Sequence, residues 1–106
     1  MNIDYLEELT DDNPSLQKEL IQLYFITLEK VLPALEDSLS PSKDEEWKRH
    51  VHELKGASLS IGIEDIAAAC SEAHYTEQLG EKGKQDLLSD ILHHVRQLEP
   101  LVKHLR

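Results

Sequence analysis

Cysteine is nearly missing. The chain has one in 106 residues, so no internal disulfide can form and a reducing compartment, the cytoplasm, is expected. Cations are scarce as well: 11 lysines and arginines face 21 aspartates and glutamates, a formal net charge of −10. That balance repels the phosphates of nucleic acid and excludes it as an expected partner. No apolar run approaches the roughly 18 residues that a membrane span needs. The acidic N-terminus has no apolar stretch of the signal-peptide kind, and Met1 fits either a native start or the start of a domain excised from a longer chain. Glycine is sparse, four residues in all, and forms no loop that could cradle a phosphate. No set of cysteine, histidine and carboxylate side chains has structural-zinc spacing. The lone Cys70 lies four residues before His74, a spacing that permits a thiolate pair. No third group orients such a pair, and close packing beside Ala67, Ala69 and Ala73 accounts for the cysteine better.

What the chain has in quantity is helical periodicity. Ile3, Leu6 and Leu9 share one side of a short helix from Met1 to about Thr10. Asp11-Asp12-Asn13-Pro14 breaks it, with Asn13 suited to an N-cap and Pro14 to a first helical position. A long helix is expected from Pro14 to about Leu39. Its apolar residues, including Ile21, Tyr24, Phe25 and Leu28, cover an arc of about 180–200°, wider than the ~100° stripe of an ordinary surface helix. The surplus edge is either buried more deeply or exposed as a docking surface. Pro33 lies on the polar side and predicts a bend. Residues Ser38 to Ser42 form a turn, and Ser42 with Glu45 makes a capping-box pattern that opens the next helix. That helix runs from about Lys43 to about Ile61, with Asp44, Glu45 and Glu46 at its positive end and Gly62 suited to the C′ position. Another runs from about Ile63 to about Leu79, Gly80-Glu81-Lys82-Gly83 is a turn, and a last helix starts near Lys84, with Pro100 bending or ending it. Short connections between long amphipathic helices predict an all-α fold. The expected architecture is an antiparallel up-down four-helix bundle with an additional short N-terminal helix, one domain over residues 1–106.

One stretch, His50 to Gly62, contains a conflict that packing alone does not resolve. At about 100° per residue, Trp47, Val51, Leu54, Ser58 and Ile61 fall in one core-facing arc. His52, Lys55, Gly56 and Leu59 fall on a different face, as neighbours on the helix surface. A glycine inside a helix costs roughly 1 kcal/mol relative to alanine, and a solvated face could have taken a cheaper residue. Its missing side chain lets a partner's backbone approach the imidazole of His52. An imidazole ordinarily titrates near about pH 6.5, so much of it is neutral and nucleophilic at neutral pH. Lys55 supplies a positive charge to an anionic group held there. The pattern describes a histidine that accepts such a group, a phosphoryl above all, from another protein. His50 projects roughly 160° away from His52 and belongs at the edge of the core. Lys48, Arg49 and Lys55 make the His52 neighbourhood locally basic, which suits steering of a partner with an acidic pocket.

The stretch resembles the histidine phosphotransfer (HPt) domain of phosphorelays. The family pattern, His-x-Leu-Lys-Gly-x-Ser-x-x-x-Gly with an aliphatic residue four positions on, reads here as His52, Leu54, Lys55, Gly56, Ser58, Gly62 and Ile66. Val51 stands where a small alanine is common, and Ala73-His74 where a Leu-Glu pair often closes the next helix. The resemblance implies a phosphorelay intermediate: His52 the phospho-acceptor, Lys55 offsetting phosphoryl charge and Gly56 leaving room for the partner. It implies receiver domains and a sensor histidine kinase as partners, with the Mg²⁺ in the receiver and no cofactor in this chain. Leu59, with Ile21, Tyr24, Phe25 or Leu28 from the preceding helix and Lys48 and Arg49 beside it, is expected to form the docking surface of a monomeric carrier. At 106 residues there is no room for a kinase ATP-binding domain beside the bundle, so the chain is not expected to phosphorylate itself. The alternative is a helical module that docks on a receiver or kinase without carrying phosphate; such a module has no need of His52.

Overall fold

The computed structural model describes residues 3–75 and 80–103. Among these the chain forms five α-helices and no strand: α1 (Ile3–Leu9), α2 (Pro14–Glu36), α3 (Asp44–Ser60), α4 (Glu64–Tyr75) and α5 (Gly80–Val102), with a 3₁₀ turn at Pro41–Lys43. They pack as a helical bundle with extents of 44 × 20 × 20 Å. The core is a continuous cluster drawn from every helix, including Leu6, Ile21, Leu28, Leu35, Leu54, Ile66, Cys70 and Ile91. No described helix is long and apolar enough to cross a membrane.

Local chemistry sets most boundaries. Asn13 caps α2, accepting from the Leu16 amide at 3.2 Å, with Pro14 in the first turn. Pro33 is exposed and the helix continues past it to Glu36, three residues short of the expected end. The expected Ser42–Glu45 capping box does not form. Pro41 opens a 3₁₀ turn one step earlier, so Ser40 is the cap, accepting from the Ser42 amide, and α3 begins with no side-chain cap. The expected turn at residues 80–83 is already the first turn of α5. The expected end of the fourth helix, residues 76–79, lies outside the described residues.

On α1 the buried row is Leu6 and Thr10 rather than Leu6 and Leu9. Thr10 can be buried because its hydroxyl donates to the Leu6 carbonyl at 2.7 Å, and Leu9 faces outward. A second buried polar group pins the other end of the bundle. The Lys84 ammonium donates to the Ser38 and Ser40 carbonyls at 3.0 Å each, pairs with Asp44 at 2.6 Å, and lies 5.6 Å from the Trp47 ring centroid. One cation thus ties α5 to the turn that follows α2 and to the first residue of α3.

Gly62 ends α3 in a Schellman arrangement. The Ile63 amide donates to the Ser58 carbonyl at 2.8 Å, and the Gly62 amide to Leu59 at 3.3 Å. The glycine has φ +77°, and a Cβ there would stand 2.7 Å from the Tyr5 ring. Gly62→Ala is expected to lower the stability of the chain by about 1–2 kcal/mol from the left-handed backbone alone, and more if Tyr5 is displaced. Urea unfolding of the two proteins measures the difference.

Candidate functional site

α3 sorts its side chains as its period requires. Trp47, Val51, Leu54, Ser58 and Ile61 are all buried, while His52, Gly56 and Leu59 face outward. Three contacts fix how α3 lies against α2. The Tyr24 hydroxyl meets the Ser58 hydroxyl at 2.7 Å, and Lys30 meets Glu53 at 2.9 Å. Leu20 and Leu23 share a groove with Ala57, Ser60 and Ile61. As α2 advances, its partner on α3 retreats, so the two helices run antiparallel. Ser58 donates in turn to the Leu54 carbonyl at 2.7 Å, which leaves the Tyr24 O–H as donor to Ser58. Burial holds the Tyr24 phenol well above its ordinary range, so this bond keeps its proton at any working pH.

The outward row of α3 is where the expectations meet. His52 is exposed, and Gly56, one turn on, is exposed too. A Cβ built on Gly56 would meet nothing within 4 Å. Packing against the rest of the fold therefore does not require a glycine here. Lys55 is half-buried on the side of α3 that faces α4, close enough for its charge to act on Cys70. Arg49 is exposed and Lys48 half-buried, which keeps a basic margin around His52. Leu59 is 52 % exposed.

The α2 part of the expected docking surface is corrected. Ile21, Tyr24, Phe25 and Leu28 are all buried in the core, because α2 packs against both α3 and α5 and the wide apolar arc serves two neighbours. The apolar side chains that α2 offers to solvent are Leu23 and Ile26, 54 % and 60 % exposed, with Leu16 further back. Leu23 and Ile26 stand three apart and so share one face, a spacing that is legible in the sequence.

Of the other candidates, Cys70 is inert. Cys70 is fully buried and burial pushes its thiol up to about 12, so it stays protonated and acts as a small apolar side chain. The His74 side chain lies outside the described residues. His50 is half-buried with Nδ1 turned inward, 3.9 Å from Glu53.

Comparison with known families decides the larger question: the Hpt domain model matches residues 19–106. The chain belongs to the Hpt domain family. No curated protein and no solved structure matches it. As an Hpt domain it has a role in histidine phosphotransfer within two-component phosphorelays, as a phosphoryl carrier rather than a classical enzyme, and its family interacts with receiver domains and kinases. The matched segment takes in most of α2 and all of α3, with His52, Lys55, Gly56 and Gly62.

Proposed function

We propose that His52 accepts a phosphoryl group from a receiver aspartate, or from a sensor kinase, and passes it to another receiver. The observation that carries this is Gly56: an exposed glycine inside a helix, one turn from an exposed histidine, at a position where a Cβ would meet nothing in the fold. In the transfer, a neutral imidazole nitrogen of His52 attacks phosphorus and the P–O bond to the aspartyl carboxylate breaks. The aspartate leaves as carboxylate, and the imidazolium formed gives its other N–H proton to solvent. Such a transfer asks the scaffold for positioning and charge stabilisation rather than for covalent chemistry of its own. Lys55 offsets the charge on the phosphoryl oxygens, and the receiver brings the Mg²⁺. Leu59, Leu23 and Ile26 supply the apolar contact around the exchange site, and the basic margin of Lys48 and Arg49 speeds encounter with the receiver's acidic pocket. The carrier works as a cytoplasmic monomer.

The test is incubation with a panel of phosphorylated receiver domains, following label onto the chain. Lys55→Ala is expected to slow transfer from the bound complex while leaving affinity for an unphosphorylated receiver largely intact, because its contribution exists only with the phosphoryl present. Leu59→Ala is expected to weaken that affinity first. Calorimetry gives the affinities and single-turnover kinetics the rates. Equal weakening of binding by both, with transfer in the complex untouched, would remove the division between a charge-stabilising lysine and a docking leucine.

A further inference from the structure

The charges that flank His52 differ from one side of α3 to the other. Side chains leave a helix about 100° apart, so with His52 as the outward direction Lys55 lies about 60° round one way and Glu53 about 100° round the other. Their contacts name the two sides. Lys55 acts on Cys70 of α4, and Glu53 meets Lys30 of α2. One flank of the acceptor histidine is thus cationic and the other carries a carboxylate.

A carboxylate on the residue next to the acceptor opposes the chemistry. Consecutive Cα atoms are about 3.8 Å apart. The Glu53 carboxylate and a phosphoryl on His52 therefore fall within roughly the 8–10 Å over which charges act at physiological salt. The phosphoryl brings about two negative charges, and like charges at that range repel. Lys30 answers this: its ammonium donates to Glu53 Oε2 at 2.9 Å. The nearer nitrogen of His50 is 3.9 Å from the other oxygen, beyond hydrogen-bond distance. The two side chains of the Lys30–Glu53 pair are 66 % and 37 % exposed, and a pair so exposed contributes little to stability. Folding alone gives weak reason to join α2 to α3 by charge at this place.

We propose that Lys30 neutralises Glu53 and so lets His52 hold a phosphoryl group that the carboxylate would otherwise repel. This rests on the reading of His52 as the acceptor. Lys30 works through Glu53 and is a positioning residue of the site, not a catalytic one, while Lys55 covers the α4 flank. Leu23, Ile26 and Lys30 follow one another at three and four residues on one face of α2, so direct contact with the receiver is the competing role for Lys30. The two roles differ in what they change. A docking contact alters how fast phosphate divides between carrier and receiver; a charge beside the phosphoryl alters the division itself.

The test compares wild type, Lys30→Ala, Glu53→Gln and the double variant. Each is mixed with a phosphorylated receiver, at concentrations where little complex forms, and the division of phosphate is read once exchange has levelled. Lys30→Ala is expected to shift it about threefold to tenfold toward the receiver, and the shift should shrink as salt is raised. Glu53→Gln is expected to cause no such loss, and the double variant to return close to wild type; an ion pair that mattered only for structure would suffer equally from loss of either partner. Urea midpoints should stay near the wild-type value in all four. An unchanged division in Lys30→Ala would overturn the proposal, as would a shift that Glu53→Gln does not restore. Phosphoramidate, which gives up its phosphoryl with loss of ammonia and has no docking surface, separates the two levels. If it labels wild-type His52 while no receiver does, the exchange with receivers fails, and Lys30 is judged on that labelling, which should slow in Lys30→Ala and recover in the double variant. A chain that takes phosphate on His52 from neither source overturns both.

Discussion

His52→Gln is expected to reduce phosphate incorporation from any receiver to background. Five other histidines remain, and those described are poorly placed to substitute. His50 turns inward toward Glu53, and His94 has a buried Nδ1 and leans toward Asp90 at 3.7 Å. His93 lies on α5, on a different helix from Lys55 and Gly56. Glutamine has similar size and good helix propensity, and the position is exposed, so the melting temperature should stay near that of the wild type. Loss of label with an unchanged melt separates a missing nucleophile from a missing fold. On the wild-type chain the adduct should be labile in acid and stable in base, as a phosphorus–nitrogen bond is and a phosphoserine ester is not.

Gly56→Gln is expected to move stability and function in opposite directions. Glycine in a helix interior lies about 0.8–1 kcal/mol below alanine, and glutamine recovers most of that. The new Cβ meets nothing within 4 Å, so no clash at that atom offsets the gain. The variant should unfold at slightly higher urea concentration than the wild type. Its side chain, however, projects into the space a receiver must enter to bring phosphorus to His52. A misplacement of about 1 Å in a reacting pair can cost on the order of a hundredfold, and transfer is expected to slow by tenfold to a hundredfold on that basis. A destabilised variant, or one that transfers at the wild-type rate, would mean that the glycine answers to something other than access.

The core-facing arc of α3 was legible because five residues at helical spacing admit one buried face. The Asn13 cap, Pro14 and the Gly62 terminator were legible because each meets a local backbone demand. The docking edge of α2 was not. An apolar arc of more than half a turn does not say which margin is outside; Ile21, Tyr24, Phe25 and Leu28 are inside because α5 covers what α3 does not. The Ser42–Glu45 capping box is absent because Pro41 opens a 3₁₀ turn first, capped by Ser40. Lys84 was out of reach altogether: a lysine reads as solvated, and its burial depends on two carbonyls and a carboxylate more than forty positions away in the case of the carbonyls. The Tyr24–Ser58 bond is of the same kind, joining residues that only the packed helices bring together. For α1 the periodicity was right and the phase wrong, since nothing in Leu6, Leu9 and Thr10 alone announces that a threonine, bonded to its own helix, takes the buried place.

The most direct measurement is mass-spectrometric mapping of phosphate on the wild-type chain after exchange with phosphorylated receiver domains, with the sample kept alkaline throughout. One phosphoryl group, on His52, is the expected result. Phosphate on His50, on any other side chain, or on none after exposure to every receiver of the panel would contradict it.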